Sequence, residues 1–531
     1  MNLLLITLIL ILALVAIKLS SKSGLPALLL FIILGLIFSR LGIEFNNFQI
    51  ADNIASISLM VIMFYGGFGT NWSMGKHVAK EAMILSSLGV FLTAILTGIF
   101  SYFILRFPLL ESMLLGSVVS STDYASVSNI LVSKNLNLKY GTASLLEIES
   151  GSNDPTAYTM TMVFLSLILG KDVNVFLLIF KQVFVGILVG FLVGIIVIKL
   201  IKLLNFNEDG LFAVFIASIM FGTYGLADAF GGNGYLALYL MGIYIGNFEY
   251  PGKRDVVFFY DGVTSIVQIA LFFLLGLLAD FSLLIKALPI GLILMLFMFF
   301  IARPLTVFCI MKPFKLKNNQ MTLISIAGIR GAAAIAFAIM AVNSGANFSI
   351  NLFSIVFVIC LFSSLIQGVL MPISTKALNM FEENDTVLRT FNYYQDKSGL
   401  GFLKTKIIEN SKWANKKIKD IEIAFNIIVA KIERRGRTIV PRGNTLIEVG
   451  DDIVLGGQAY FDSSGKELIE IKLSGNHEWI NKEIKDIKVD PNELIIMLQK
   501  PTGQIVVPSG DTKLEENDRI VILNADKTIK K

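Results

Sequence analysis

The apolar runs of this chain leave it few possible folds. From LLLITLILILALVAI near the start to LFSIVFVICLFSSLIQGVL ending at Leu370, apolar stretches recur with only short polar breaks. Many reach about 18 residues or more, the length at which a run reads as a membrane span. A bilayer accepts such a run as a helix, because a helix satisfies its own backbone hydrogen bonds. Composition agrees: 16% of the residues are charged, against roughly 25% in a soluble domain. Run lengths predict about thirteen spans, at roughly 3–19, 25–42, 53–71, 81–106, 110–132, 144–169, 175–204, 211–229, 234–248, 262–279, 283–308, 320–343 and 351–377. The ninth is short enough to be re-entrant.

The apolar runs stop near Asn379, and dense charge follows, as in ENSKWANKKIKDIE. This shift divides a membrane domain, 1–380, from a linker, 381–398, and a soluble tail. The fold class expected is a polytopic α-helical membrane protein with a C-terminal cytoplasmic α+β region. Alternate loops are rich in Lys18 and Lys22, Lys76 and Lys80, Lys134 and Lys139, Lys199 and Lys202, Lys253 and Arg254, then Lys312, Lys315 and Lys317. The opposite loops hold only Arg40, Arg106, Lys171 and Lys286. The richer set is expected to face the cytoplasm. An odd span count then puts the N-terminus outside and the tail inside. The first run has no basic leader and no clear cleavage site, so it reads as a retained span.

The net charge of +5 lies mostly in loops and tail, which fits topology and gives no reason to expect a nucleic-acid partner. Cys309 and Cys360 both sit in apolar runs and read as small core residues. His77 and His477 have no Cys/His cluster around them, so neither a zinc nor a haem site is expected.

The tail repeats itself. WANKKIKDIEI (Trp413–Ile423) matches WINKEIKDIKV (Trp479–Val489), and GRTIVPRGNTLIEVGDDIVLGG matches GQIVVPSGDTKLEENDRIVILN. The two copies read as small α+β modules, 399–460 and a diverged 461–531. Modules this small bury little surface alone and are expected to pack together or dimerise. The basic stretch ERRGRTIVPRG reads either as a solvated turn or as a site for an anionic ligand. No Gly-rich dinucleotide fingerprint follows a tail strand.

Polar residues inside the spans are few. A carboxylate at mid-bilayer costs about 2.5–3.5 kcal/mol on insertion scales, so each intramembrane acid is a functional candidate. In the fifth span, Ser120, Ser121, Thr122 and Asp123 stand together. That run reads as unwound backbone lining a cavity, or as a helix facing the bundle interior. In the sixth span, EIESGSNDPTAY places Ser150 and Asp154 on one helical face, and Glu149 and Asn153 on the adjoining one. Pro155 is expected to disturb the helix there, and Gly151 permits close approach. Oxygens converging beside a loosened backbone suit a dehydrated monovalent cation. In the twelfth span, Arg330 cannot shed its charge and needs a partner, for which Glu149 is the expected choice. Glu147, nearer the cytoplasmic end, is expected to be solvated.

A buried carboxylate can bind a proton or, deprotonated, a cation. If access changes only when the site is filled, the two are exchanged. Asn153 in place of a second acid removes one charge and favours one proton per cation.

These residues carry a family resemblance. STD, ESGSND and GIRGA, in this order and spacing, resemble the monovalent cation/proton antiporter superfamily, in its electroneutral Asn-Asp branch. EIESGSNDPTA and FYDGVTSIVQIALFFLLGLL are most similar to bacterial potassium/proton antiporters of the cell-volume-regulation type. The tail modules resemble the TrkA-C ligand-binding domain. The resemblance implies an inverted-repeat antiporter fold, with Asp154 as the cation- and proton-binding carboxylate. It implies that Asp123 and the Thr122 backbone line the same site where two broken helices cross. Ser150 would be an oxygen ligand, Asn153 would structure the site, and Glu149 and Arg330 would form a buried ion pair. It also implies a homodimer, an elevator-like movement of a core bundle, K+ or Na+ and H+ as substrates, and the cytoplasmic membrane as location. No cofactor is implied, apart from a regulatory nucleotide such as cyclic di-AMP at the tail. Two departures stand out: Tyr124 follows Asp123 where many relatives have Pro or Ala, and no acid lies near Tyr65, Gly66 and Gly69.

A potassium channel or uptake subunit with a ligand-gated tail is the alternative. Channels require a carbonyl-lined filter such as TVGYG, and the nearest stretch, GTYGLADAF, lacks that pattern. No nucleophile–base pair or metal-ligand cluster points to an enzyme.

Overall fold

The apolar runs fold as helices. A computed structural model describes residues 3–23, 27–43, 45–70, 72–123, 126–127, 130–131, 138–204, 209–248, 250 and 253–381 of the membrane region. In the tail it describes 400–409, 411, 413–421, 427–434, 437–458, 468–473, 479–487, 493–500, 505–506, 508–516 and 518–524. Two compact units divide the chain, Met1–Tyr394 and Gln395–Lys531. The expected linker, except Phe381, and Tyr124 lie outside the described residues.

In the first unit, α1 is Leu3–Ser23, α2 Ala27–Arg40 and α3 Phe48–Gly69. The next, α4, covers Ala79–Phe103, with a π turn at Leu85–Gly89. Then come α5 (Leu109–Val118), α6 (Thr142–Ile168), α7 (Val175–Leu204), α8 (Asp209–Ala229), α9 (Gly234–Gly246) and α10 (Lys253–Leu278). Next are α11 (Phe281–Phe314), α12 (Asn318–Ile326), α13 (Ala332–Asn343) and α14 (Leu352–Ala377). Seven of these helices are long and apolar enough to cross a membrane. The expected fifth and twelfth spans are each interrupted. Helix α5 stops before Ser120, and the chain is non-helical through Ser121–Asp123; α12 and α13 flank a non-helical Ala327–Gly331. Helix α10 starts about nine residues earlier than the hydropathy of its span suggests, because its first turn is charged.

Packing sorts the helices into two bundles. One holds α1–α3 and α7–α10; the other holds α4–α6 and α11–α14. Within the first, α3 and α9 approach backbone to backbone. A Cβ at Gly67 would strike the Tyr239 carbonyl, and one at Gly246 the Phe68 carbonyl. Small residues at helix contacts are how membrane helices gain dispersion energy where lipid supplies no hydrophobic drive. The bundles meet mainly where α13 packs on α3 and where α6 packs on α7 and α9. Cys360 is buried as expected, whereas Cys309 is exposed on α11.

Two local expectations fail. Pro155 costs α6 one ladder bond but disturbs it less than expected: α6 stays helical through it, because neighbouring helices hold a membrane helix whose ladder has lost one donor. Glu147 is only 4% exposed, because α6 packs on neighbours along its length and not only at its centre.

In the second unit the sequence repeat becomes a structural one. The strands are β1 (Leu400–Lys406), β2 (Ile427–Arg434), β3 (Arg437–Ile439) and β4 (Asp452–Gln458), then β5 (Leu468–Lys472), β6 (Glu493–Gln499), β7 (Ile505–Val506) and β8 (Arg519–Asn524). They form two antiparallel sheets of order β1-β4-β2-β3 and β5-β8-β6-β7. Both carry a bulge at the same place, Val429/Lys431 and Ile495/Met497. Asn415 and Asn481 both take a left-handed backbone, which Asn tolerates better than most residues. Between the strands, the repeated IKD stretches form matching 3-10 turns at Ile418–Asp420 and Ile484–Asp486.

Candidate ion-binding site

The two interruptions cross. The backbone N–H of Asp123 donates to the Ile329 carbonyl at 2.8 Å. Each broken helix leaves terminal backbone groups without intrahelical partners, and side chains take up part of that need. The Arg330 guanidinium donates to the Ser120 carbonyl at 2.5 Å and the Ser121 carbonyl at 2.7 Å, placing positive charge at the negative end of α5. The Arg330 N–H donates to Ser363 Oγ at 2.9 Å, and Gln367 Nε2 to the Ile326 carbonyl at 3.2 Å. Both partners come from α14. Gly331 is needed for close approach, since a Cβ there would collide with the Asp123 carboxylate. That carboxylate accepts from Ser126 Oγ at 2.7 Å.

Helix α6 faces this crossing. Thr122 Oγ1 and Ser150 Oγ share a hydrogen bond of 2.8 Å, and Asn153 Nδ2 donates to Thr122 Oγ1. Glu149 accepts longer contacts, at 3.5 Å, from Thr122 and Ser150. Asp154 is 6% exposed, and its Oδ1 has no hydrogen-bond partner among the described residues. The same holds for Oδ1 of the fully buried Asn153. Ser121, Asp123 and Glu149 all lie close enough to Asp154 to act on its charge. Thus Thr122, Asp123, Ser150, Asn153 and Asp154 are brought to one crossing, lined by oxygen atoms. A buried acceptor without a donor is costly, and a desolvated cation or a proton relieves that cost.

The expected Glu149–Arg330 pair is not formed. Glu149 Oε1 accepts instead from Arg303 Nη2 at 3.0 Å, with the two side chains 0% and 2% exposed. Arg330 is occupied by the carbonyls at the end of α5, while α11 brings Arg303 against α6. Arg303 lies within the eleventh expected span, so the cost of an intramembrane charge that singled out Arg330 applied to it equally. Ser363 and Gln367 gave no such signal, since polar uncharged residues in a span are common.

The region around Tyr65 does meet an acid: Tyr65 Oη donates to Asp261 Oδ1, 3.2 Å away, from α10. In the tail, Arg434 of the basic stretch is already engaged. It donates to Asp451 at 2.7 Å and 2.8 Å, to Glu448, and to the Leu446 carbonyl at 2.8 Å. Among the described residues, no group of three His, Cys, Asp or Glu is placed to hold a metal.

Comparison with known proteins places the chain in a family. The family described as "Sodium/hydrogen exchanger, transmembrane" matches residues 8–377, and the TrkA-C domain matches 405–459 and 468–531. The K(+)/H(+) antiporter NhaP of Alkalimonas amylolytica is 34% identical over 374 residues, covering 69% of this chain and 65% of that protein. The K(+)/H(+) antiporter NhaP2 of Shewanella sp. (strain ANA-3) is 28% identical over 520 residues, covering 92% and 88%. The match thus spans just under two thirds of the first relative and most of the second. The sodium proton antiporter MjNhaP1 of Methanocaldococcus jannaschii shares the fold, with a TM-score of 0.60 at 23% identity over 70% of this chain and 96% of that one. The chain is a member of the sodium/hydrogen exchanger family, with TrkA-C domains after its membrane region.

Proposed function

We propose that this chain is a secondary antiporter that exchanges a monovalent cation, K+ before Na+, for H+ across the cytoplasmic membrane. One observation carries the reading. Two buried oxygens on consecutive residues of α6, Asp154 Oδ1 and Asn153 Oδ1, have no hydrogen-bond partner among the described residues, and Ser150 and Asn153 of the same helix both bond to Thr122. A dehydrated monovalent cation takes oxygen ligands, and a single carboxylate neutralises it. Protonated, that carboxylate has no charge left for the cation, so proton and cation compete for one group. The preference for K+ rests on the names of the two relatives that align with most of the membrane region.

In this reading Asp154 alternates between proton and cation. Asp123, Thr122 and Ser150 complete the oxygen surround, and Asn153 keeps the site at one exchanging charge, so one proton moves per cation without net charge. The Glu149–Arg303 pair and Arg330 hold the geometry. The chain works as a homodimer with its N-terminus outside and its tail in the cytoplasm, where the TrkA-C modules regulate exchange, with an anionic effector such as cyclic di-AMP as their ligand. The test uses everted membrane vesicles: K+ or Na+ should dissipate a preformed pH gradient, and Asp154→Ala should abolish the effect. Exchange unchanged in that variant would refute the role given to Asp154.

A further inference from the structure

Asn233 is completely buried and joins the two bundles. It stands at the N-cap of α9, where its Oδ1 accepts from the Leu236 N–H at 3.0 Å. Its backbone N–H donates to the Gln182 carbonyl of α7 at 3.0 Å. Its side-chain Nδ2 crosses to the other bundle. It donates to the Pro155 carbonyl at 2.8 Å and to Thr159 Oγ1 at 3.2 Å, both on α6. Pro155 follows Asp154 directly. Thr159 Oγ1 also donates to the Pro155 carbonyl, at 2.9 Å, so two side-chain donors converge on that one acceptor. In the same turn of α6, the Tyr158 ring meets the Tyr235 ring of α9 edge-on at 5.0 Å.

A capping role alone does not explain the residue type. Ser or Asp caps a helix as well as Asn does, but neither can accept at the cap and also donate an amide N–H across the interface. The donated bond matters most at this turn, because Pro155 has no N–H and cannot bond back to the Gly151 carbonyl. The α6 ladder is therefore weakened where Asp154 is held, and a bond from outside the helix replaces some of the lost restraint.

We propose that Asn233 is a positioning residue for the exchange: its amide fixes the turn of α6 that carries Asp154, and so sets how well that carboxylate binds the cation. The proposal rests on Asp154 being the exchanging group. Removing the tie lets the turn shift relative to Thr122 and Ser150, which lowers cation affinity more than turnover.

The test measures exchange by the full chain in everted vesicles for Asn233→Asp, Asn233→Ser, Thr159→Val, Thr159→Ser and Asp154→Asn. Each is normalised to the protein present in the membrane. Asn233→Asp and Asn233→Ser keep the cap acceptor and lose the amide donor. Each is expected to raise the apparent KM for K+ or Na+ about tenfold. Maximal rate should stay within about twofold, and the pH profile should shift because proton and cation share the site. Thr159→Val, which leaves the α9 cap untouched, should raise KM severalfold, and Thr159→Ser should restore it. A merely structural role would lower the protein recovered and leave KM and pH profile unchanged. Wild-type KM and pH profile in both Asn233→Ser and Thr159→Val, with Asp154→Asn inactive, would overturn the positioning role alone. Exchange retained by Asp154→Asn would instead bring down the site reading on which it rests. If the Asn233 variants do not accumulate, the Thr159 pair decides.

Discussion

Arg303 Nη2 stands 3.0 Å from Glu149 Oε1, and both side chains are sealed from solvent. Arg330, the other buried arginine of this bundle, bonds to backbone carbonyls instead. The two arginines therefore do different work: Arg303 neutralises a buried acid, and Arg330 holds the end of a broken helix. Removing one partner of a buried pair leaves an uncompensated charge at a cost of about 3–5 kcal/mol. Glu149→Gln should thus lower the thermal stability of the detergent-solubilised protein sharply. Adding Arg303→Gln should recover much of the loss, while adding Arg330→Gln should not. A thermal-shift double-mutant cycle checks this; stronger coupling of Glu149 to Arg330 than to Arg303 would contradict the assignment.

The glycine contacts make a second, graded prediction. A Cβ at Gly331 would run into the Asp123 carboxylate, one at Gly328 would lie 3.2 Å from Arg303 Nε, and one at Gly66 would meet nothing within 4 Å. Gly331→Ala should reduce exchange by an order of magnitude or more, on the ~1–3 kcal/mol scale of overpacking. Gly328→Ala should have a milder effect, and Gly66→Ala should match wild type. Vesicle exchange rates at equal expression give the order; an active Gly331→Ala protein would show that the crossing tolerates displacement of Asp123.

Much of this was legible in the sequence, and what was not shares one cause. Run lengths located the helices, and the four-residue spacing of Ser150 and Asp154 placed them on one face, because both follow from the geometry of a single helix. The tail repeat foretold two equivalent sheets. Which residue of another helix arrives opposite a given face is a tertiary matter, and there the reading failed or stayed silent. Glu149 found Arg303 and not Arg330, Tyr65 found an acid on α10, and Asn233 reached α6 from a loop. Pro155 shows the same limit in reverse, since its local effect is overridden by neighbours.

The tail allows a pH prediction outside the membrane. The Arg434 guanidinium bonded to Asp451 holds that carboxyl below the usual carboxylate range. A carboxyl whose folded value is depressed adds stability well above its unfolded value of about 3.9, and that stability is lost as pH falls through the lower folded value. The first module should therefore lose stability below about pH 4, and Asp451→Asn should remove this part of the acid sensitivity while weakening the module at neutral pH. Trp413 packs against that module's core. In a Trp72→Phe, Trp479→Phe background its fluorescence during denaturant unfolding reports the change. Unaltered acid dependence in Asp451→Asn would show that the pair does not govern it.

The last prediction concerns charge balance at the site. Asn153 Nδ2 donates to Thr122 Oγ1 while its Oδ1 has no donor among the described residues. An aspartate in its place keeps the oxygen, loses the donor and stands beside Asp154 in sequence. With the cation bound between them both carboxylates can stay ionised, but once it leaves two adjacent buried like charges cannot, and both take up a proton. Asn153→Asp should therefore bind one proton more per cation whenever it still exchanges, and its transport should move net charge. In proteoliposomes with a potential-sensitive dye, wild-type exchange should be indifferent to a potential imposed by a gradient of the permeant anion thiocyanate, with the cation concentrations held fixed. Exchange by the variant should speed or slow with the sign of that potential. Potential-independent exchange by Asn153→Asp would mean that the asparagine does not set the stoichiometry, and that its hydrogen bond to Thr122 is its whole contribution.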